Sequence, residues 1–366
     1  MFTVGRERKM IFSELNFFAG KRVFITGHTG FKGAWLTQIM VRSGANVCGY
    51  SLPMTDNESH FNGLGLKNLI THIEGDIRDQ ERLSDAITAF KPDIVFHLAA
   101  QALVKLAYTD PVDTFSTNVM GSLNILQAVN KCGSVKSMIY VTSDKCYENV
   151  EWEWGYRETD MLGGHDPYSA SKAAAEIVFS SYTRSFYQNR PNLGAASVRA
   201  GNVIGGGDYS VDRIVPDCIR AIRQNKPIEL RNPQSTRPWQ HVLEPLSGYI
   251  LLAQKLFEDP QKFAHPWNFG PSSQEPRNVG EVAQTIVDVY GQGSVLQGAV
   301  PSDFHEANLL QLNCDLAYHK LRWKPRWDVD KTLKMTADWY RLVDIGTSMP
   351  EVTNAHIDDY FGGSHD

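Results

Sequence analysis

Through about residue 205, short apolar runs alternate with longer stretches whose apolar residues recur every three or four positions. RVFIT (Arg22–Thr26) is β-branched and aromatic and stops at Gly27. AWLTQIMVRSG has helical spacing and closes at Gly44, and ANVCGYS reads as the next strand. ITHIEGD, DIVFHLAA, SMIYVTS and GAASVRAGNVIG supply four further strands. Between them lie the helical stretches ERLSDAITAF, VDTFSTNVMGSLNILQAVNKCG and PYSASKAAAEIVFSSYTRSFY. Strands joined by helices predict a doubly wound, mostly parallel α/β sheet. After about residue 205 the pattern becomes irregular. GGGDYSVDRIVPD and RNPQSTRPWQHVLEP are rich in Gly, Pro and Arg, a short helix (CIRAIRQNK) lies between them, and VGEVAQTIVDVYG is a later helix.

The expected organisation is an N-terminal extension (1–19), a sheet domain (20–200, with about 240–266), and a smaller α+β substrate-binding domain (201–239 and 267–366). Composition narrows the function. The 366 residues are 42% hydrophobic and 21% charged with a net charge of −5, so no basic footprint points to nucleic acid. Five scattered cysteines form no CxxC pair, which suits a reduced cytoplasmic protein without disulfides or a metal site. No apolar run reaches the roughly 20 residues of a membrane span. The N-terminus lacks the continuous apolar stretch of a signal peptide, and Met10 opens a more conventional start than Met1.

TGHTGFKGAW places Gly27, Gly30 and Gly33 between a strand and a helix. Such a loop lets a pyrophosphate approach backbone N–H groups at the positive end of a helix, the phosphate site of a Rossmann-type dinucleotide fold. The alternative is a tight turn with close helix packing. Thr29, Phe31 and Lys32 belong to the same loop. Asp76, followed by Ile77, ends the third strand, where its carboxylate can accept from an adenine amino group or cap the next helix. Leu98, Ala99, Ala100 and Gln101 end the fourth strand with small residues that leave room for a cofactor. The second strand ends in Tyr50–Ser51 rather than the acid that usually selects NAD, and no arginine follows at once to favour a 2′-phosphate.

PYSASK sets Tyr168 and Lys172 four apart on one helix face. A lysine ammonium beside a phenol favours the phenolate, which can take a hydroxyl proton while hydride leaves the same carbon. With Ser143 at the end of the fifth strand, the set resembles the extended short-chain dehydrogenase/reductase family, from about Gly20 to about Trp339. The resemblance implies NAD as cofactor, Ser143, Tyr168 and Lys172 at the reacting hydroxyl, and Asn118 (in FSTNVMGS) beside the cofactor. It also implies a homodimer, made by pairing helices at about 112–131 and 168–187 into a four-helix bundle.

VTSDKCYEN, GNVIGGGD, DRIVPD and TRPWQHV most resemble that family's CDP-glucose 4,6-dehydratase branch. The branch oxidises C4 of CDP-glucose, eliminates water across C5 and C6, and returns hydride to C6, feeding deoxyhexose and O-antigen lipopolysaccharide synthesis. By this resemblance Asp144 is the acid for the departing 6-hydroxyl. Lys145 stands where related dehydratases carry a glutamate. An amine with an ordinary pKa near 10.4 is an awkward base, so it either loses its proton to serve at C5 or stays charged and stabilises the enolate. Expected substrate contacts are Lys105, Arg199, Asn202, Arg213, Arg237, Trp239, His305 and Glu306, with Arg231 as a further cation. A nucleotide-sugar 4-epimerase and a non-catalytic NAD(P)-binding regulator are the rival readings. Asp144–Lys145 argues against the first and the intact Ser143, Tyr168 and Lys172 against the second.

Overall fold

The computed structural model describes residues 13–54, 59–271, 277–299 and 309–363. Six strands, β1 (Arg22–Thr26), β2 (Asn46–Ser51), β3 (Thr71–Glu74), β4 (Ile94–His97), β5 (Ser137–Val141) and β6 (Gly194–Arg199), fall on the predicted runs. A seventh, Trp267–Asn268, pairs with β6. The order across the sheet is Trp267–Asn268, β6, β5, β4, β1, β2, β3, with every pairing parallel. The chain runs outward from β1 in both directions, so a crevice opens at the carboxyl ends of β1 and β4.

Alternation along the strands builds two cores. Val23 and Ile25, Ile94 and Phe96, and Ile139 face one layer, packed with Trp35, Ile39, Leu246 and Leu252. Phe24, Val95, Met138 and Tyr140 face the other, packed with Ile125, Leu126, Val129 and Phe179. Buried on both faces, these strands need no polar side, which is why they read as continuous apolar runs. Local chemistry sets the helix ends. Asp79 accepts from Arg82 N and caps Gln80–Phe90, and Lys91 ends that helix in the left-handed region at φ 52°, just before Pro92. Asp166 caps Pro167–Ser185 by accepting from Ser169 N, with Pro167 in the first turn.

Two expectations are corrected. The segment from residue 267 does not belong solely to the smaller domain, because Trp267 and Asn268 complete the central sheet. The stretch 112–131 is not one regular helix: Pro111–Phe115 and Ser122–Lys131 flank a π-helical turn, Ser116–Gly121. The C-terminal part adds two helices, Val329–Asp344 and Met349–Gly362, capped by Asp328 and Ser348. Helix Leu243–Glu258 lies against the sheet, where Ser137 donates to the Ala253 carbonyl at 2.8 Å. Among the described residues no helix is long and apolar enough to cross a membrane.

Candidate active site

The glycine loop leaves β1 and enters helix Phe31–Arg42. Gly27 has φ 71°, and a methyl group on it would meet the Ala99 backbone nitrogen at 2.7 Å. A methyl on Gly33 would meet the Gly27 carbonyl oxygen at 2.0 Å, so both positions exclude side chains through close packing. Gly30 differs. It is exposed, and it is the helix N-cap without a side-chain cap, so the first-turn N–H groups are left for an outside acceptor. At the end of β2, the Thr29 and Ser51 hydroxyls meet at 2.7 Å, as donors or acceptors for a ribose. An open N-terminus over a side-chain-free loop, with hydroxyls at the next strand end, fits a dinucleotide.

Asp76 stands at the expected rim but is already engaged. Arg78 donates to both its carboxylate oxygens and also reaches Asp113, and the Asp76 carboxyl is held below its usual range chiefly by Arg78. Ile77 is buried at Gly121, where a methyl would meet Ile77 Cδ1 at 2.7 Å. Leu98, Ala99 and Ala100 are half-buried after β4, where His97 bonds Thr26 at 2.7 Å and Ser122 at 3.0 Å. Gln101 and Asn118 join: Gln101 N donates to Asn118 Oδ1 at 2.8 Å, and Asn118 Nδ2 donates to Gln101 O and Ser171 Oγ. The π-helical turn thus spends Asn118 on fixing the β4 end against the Tyr–Lys helix, rather than aiming it at a ligand.

The strand end after β5 and helix Pro167–Ser185 meet over this crevice. Ser143 Oγ donates to Asp144 Oδ1 at 2.9 Å and accepts from Lys145 N at 3.2 Å. Asp144 is 5% exposed and packs on Gly201, where a methyl would overlap its Oδ2. Tyr168 is buried. Burial raises its phenol to about 12, while a hydrogen bond with Ser143 and the charge of Arg213 pull it back. Lys172 is pushed down to about 8 by burial, with Cys146 and Glu176 opposing. Lys32 also comes to about 8 through burial and Arg213, with Asp144 acting the other way and Lys172 adding to the fall. The half-buried Lys145 ammonium makes no hydrogen bond or ion pair among the described residues. A phenol, an amine, a hydroxyl and a carboxylate thus share one buried corner. They can exchange a substrate hydroxyl proton and deliver a second proton to a leaving oxygen.

The expected phosphate cations divide. Arg213 pairs with Asp208 at 2.9 Å and acts electrostatically on Tyr168 and Lys32, so it borders the site. Lys105 pairs with Asp212 across the cleft mouth. Asn202 turns the chain after β6 at φ 52°, Arg237 donates to the Thr236 carbonyl at 2.8 Å, and Trp239 Nε1 donates to the Arg277 carbonyl at 2.9 Å. Arg231 is half-buried after strand Ile228–Leu230. His305 and Glu306 lie outside the described residues. Arg199 is a correction. It is 2% exposed, its Nε and Nη2 bind both Glu176 oxygens at 3.0 and 2.8 Å, and its Nη1 donates to Tyr147 Oη at 2.7 Å and to Glu158 O at 3.1 Å. Its donors are consumed inside the protein, so it is not a phosphate ligand. Glu176 was missed in the sequence, although its position four residues after Lys172 was a signal.

The sequence profile described as GDP-mannose 4,6 dehydratase matches residues 24–336. The chain belongs to this dehydratase family. A CDP-glucose 4,6-dehydratase from Salmonella typhimurium is 46% identical over 355 residues, covering 95% of this chain and 98% of that protein. Among solved structures, DesIV, a dTDP-glucose 4,6-dehydratase from Streptomyces venezuelae with NAD bound, has a TM-score of 0.75 at 21% identity, covering 87% of this chain and 97% of that one. A UDP-glucose 4-epimerase from Thermotoga maritima scores the same 0.75 at 21% identity, covering 88% and 99%. Backbone likeness therefore does not separate dehydratase from epimerase. The relative that is 46% identical over nearly the whole chain is a dehydratase.

Proposed function

We propose that the protein converts CDP-D-glucose to CDP-4-keto-6-deoxy-D-glucose and water. The observation that carries this is Asp144, buried and hydrogen-bonded to Ser143 in the corner that also holds Tyr168 and Lys172. The 46% identity to a CDP-glucose 4,6-dehydratase supports the choice of nucleotide. Gly27, Gly30 and Gly33 with Thr29 would hold NAD, which would supply the hydride acceptor for C4 and the donor for C6. Tyr168 takes the C4 hydroxyl proton, Ser143 orients that oxygen, and the Lys172 ammonium stabilises the phenolate. With C4 a ketone, H5 becomes acidic. Asp144 protonates the departing 6-hydroxyl, which leaves as water. Lys145 works at C5, as a neutral amine that removes H5 or as a charge that stabilises the enolate. A proton returned to C5 completes the 6-deoxy product. The product class feeds deoxyhexose synthesis, including O-antigen sugars. Lys105, Arg213, Arg231 and Arg237 bind the pyrophosphate side.

Incubation with CDP-, dTDP- or UDP-glucose and NAD tests the reading, with the 4-ketone detected by absorbance and NMR. Preference for CDP-glucose is expected; preference for dTDP-glucose rejects the nucleotide while keeping the reaction class. A 4-epimerised sugar in place of the ketone rejects the dehydration. Lys145→Met is expected to keep C4 hydride transfer but lose H5 exchange with solvent by at least about a hundredfold. Product formation at the wild-type rate removes Lys145 from the mechanism.

The protein is proposed to act in the cytoplasm as a homodimer. Val112, Phe115, Met120, Ile177 and Phe186 are exposed apolar residues on the helices at 111–131 and 167–185 and just beyond, the surface that a four-helix bundle would cover. Sedimentation velocity with Ile177→Glu tests this, a monomer being the expected result for the variant.

A further inference from the structure

Glu176 is a buried charge to which the reaction assigns no task. It follows Lys172 by one helical turn and Tyr168 by two, so the three share a face. Its carboxylate is 2% exposed and accepts from three side chains on two elements: Thr142 Oγ1 just before Ser143, and from β6 Ser197 Oγ at 2.8 Å and Arg199 through two nitrogens. Arg199 continues the chain of contacts to Tyr147, in the segment that follows Asp144 and Lys145. The halves of the active site, the helix with Tyr168 and Lys172 and the strand end with Ser143 and Asp144, are thus joined through one carboxylate.

The groups acting on Lys172 are Glu176 on its own helix, Cys146 from the turn after β5, Lys32 from the glycine-loop helix and His97 from the end of β4. Burial keeps Cys146 a thiol and His97 neutral, and Lys32 is a like charge. Of these groups Glu176 alone supplies negative charge. Arg199, bound to both of its oxygens, lets that charge persist in the interior.

We propose that Glu176 is a positioning residue of the reaction: with Arg199 as counter-ion it locks the Tyr168–Lys172 helix to the Ser143–Asp144 strand end and holds a carboxylate one helical turn from the Lys172 amine. This rests on the dehydratase reading above. Glu176→Gln alone leaves Arg199 unpaired, so the informative variant is Glu176→Gln/Arg199→Met, which replaces the buried pair by neutral groups of similar size. It is expected to fold, and to keep its KM for CDP-glucose within about twofold while losing about tenfold in kcat. The basic limb of its pH–rate profile should move down by about one pH unit, because Lys172 loses its proton sooner. A kcat loss with an unmoved basic limb overturns the proposal.

If the double variant does not fold, Glu176→Asp decides. It keeps the charge on a shorter arm, so a reduced kcat with the wild-type basic limb supports the assignment, and a shifted limb overturns it. If the wild type makes no 4-ketone from CDP-glucose, the functional reading fails separately. The proposal is then judged by titrating the Tyr168 phenol in the NAD-bound protein, as the difference from Tyr168→Phe. A phenol that titrates higher in the double variant supports it, and an unmoved phenol overturns it.

Discussion

Two ion pairs flank the catalytic corner, one behind it and one across its mouth. Arg199 and Glu176 are each 2% exposed and bound through two parallel contacts, with Tyr147, Thr142 and Ser197 completing the set. Lys105 and Asp212 have side chains 37% and 41% exposed and join the short helix Val104–Thr109 to the turn before Arg213. The residue types alone suggest equivalent phosphate ligands, but their surroundings make them opposites. The buried pair cannot release its arginine without stranding a carboxylate in the interior, so it fixes geometry. The exposed pair gains little, because water screens it, so trading the aspartate for another anion would cost little.

The contrast is tested first by truncating the buried side. Arg199→Ala is expected to cost about 3–5 kcal/mol of stability, read by urea or thermal unfolding, because Glu176 is left unpaired. A loss below about 1 kcal/mol would place Arg199 in the same class as a surface cation.

Next comes pH, which acts on the far side of the core where the C-terminal helix Met349–Gly362 docks. His60 bonds Thr353 at 2.9 Å and is lowered to about 3 by burial and His356, and His356 is itself lowered to about 4 by burial. Both have folded values below the ordinary 6.5, so the stability they contribute is present above about 6.5 and lost as pH falls. Glu244, bonded by Tyr360 at 2.6 Å, is raised to about 7 by burial. Its contribution is full below the ordinary carboxyl range and lost as pH rises through about 7. The two trends oppose each other, and the melting temperature is expected to peak between about pH 6 and 7. Glu244→Gln should flatten the alkaline side, and an unchanged alkaline slope would remove Glu244 as its source.

The smallest effect belongs to the mouth. Asp212→Asn is expected to change stability by less than about 1 kcal/mol and to lower the KM for CDP-glucose about two- to threefold, by removing a competitor for Lys105. A raised KM in initial-rate measurements would show that Asp212 helps to hold the substrate instead.

Six strands, the glycine loop between β1 and its helix and the placing of Tyr168 and Lys172 on one helix were legible in the sequence, because each depends on neighbours within one turn or one strand. Arg199 was misread because its partner lies 23 residues away on another element and no spacing rule links them. Asn118 was placed in the right region with the wrong partner, since the π-helical turn that rotates it inward leaves no mark in the apolar pattern. The two-residue strand Trp267–Asn268 is too short to show alternation. The helix Val329–Asp344 does carry helical spacing and an Asp328 cap, but the Trp- and Pro-rich stretch before it, Trp323 to Trp327, disguised it.

That short strand has a consequence for how the chain can be divided. β6 is paired with β5 on one side and with Trp267 and Asn268 on the other. A fragment ending before Trp267 would present the outer backbone of β6 as an open edge, a template for pairing with other copies. The loops that carry Arg213 and Arg237 are therefore not an appendage that can be trimmed or transplanted at residue 200. They are the path by which the chain returns to seal its own sheet, and protection from aggregation comes only when the substrate-side loops have been threaded.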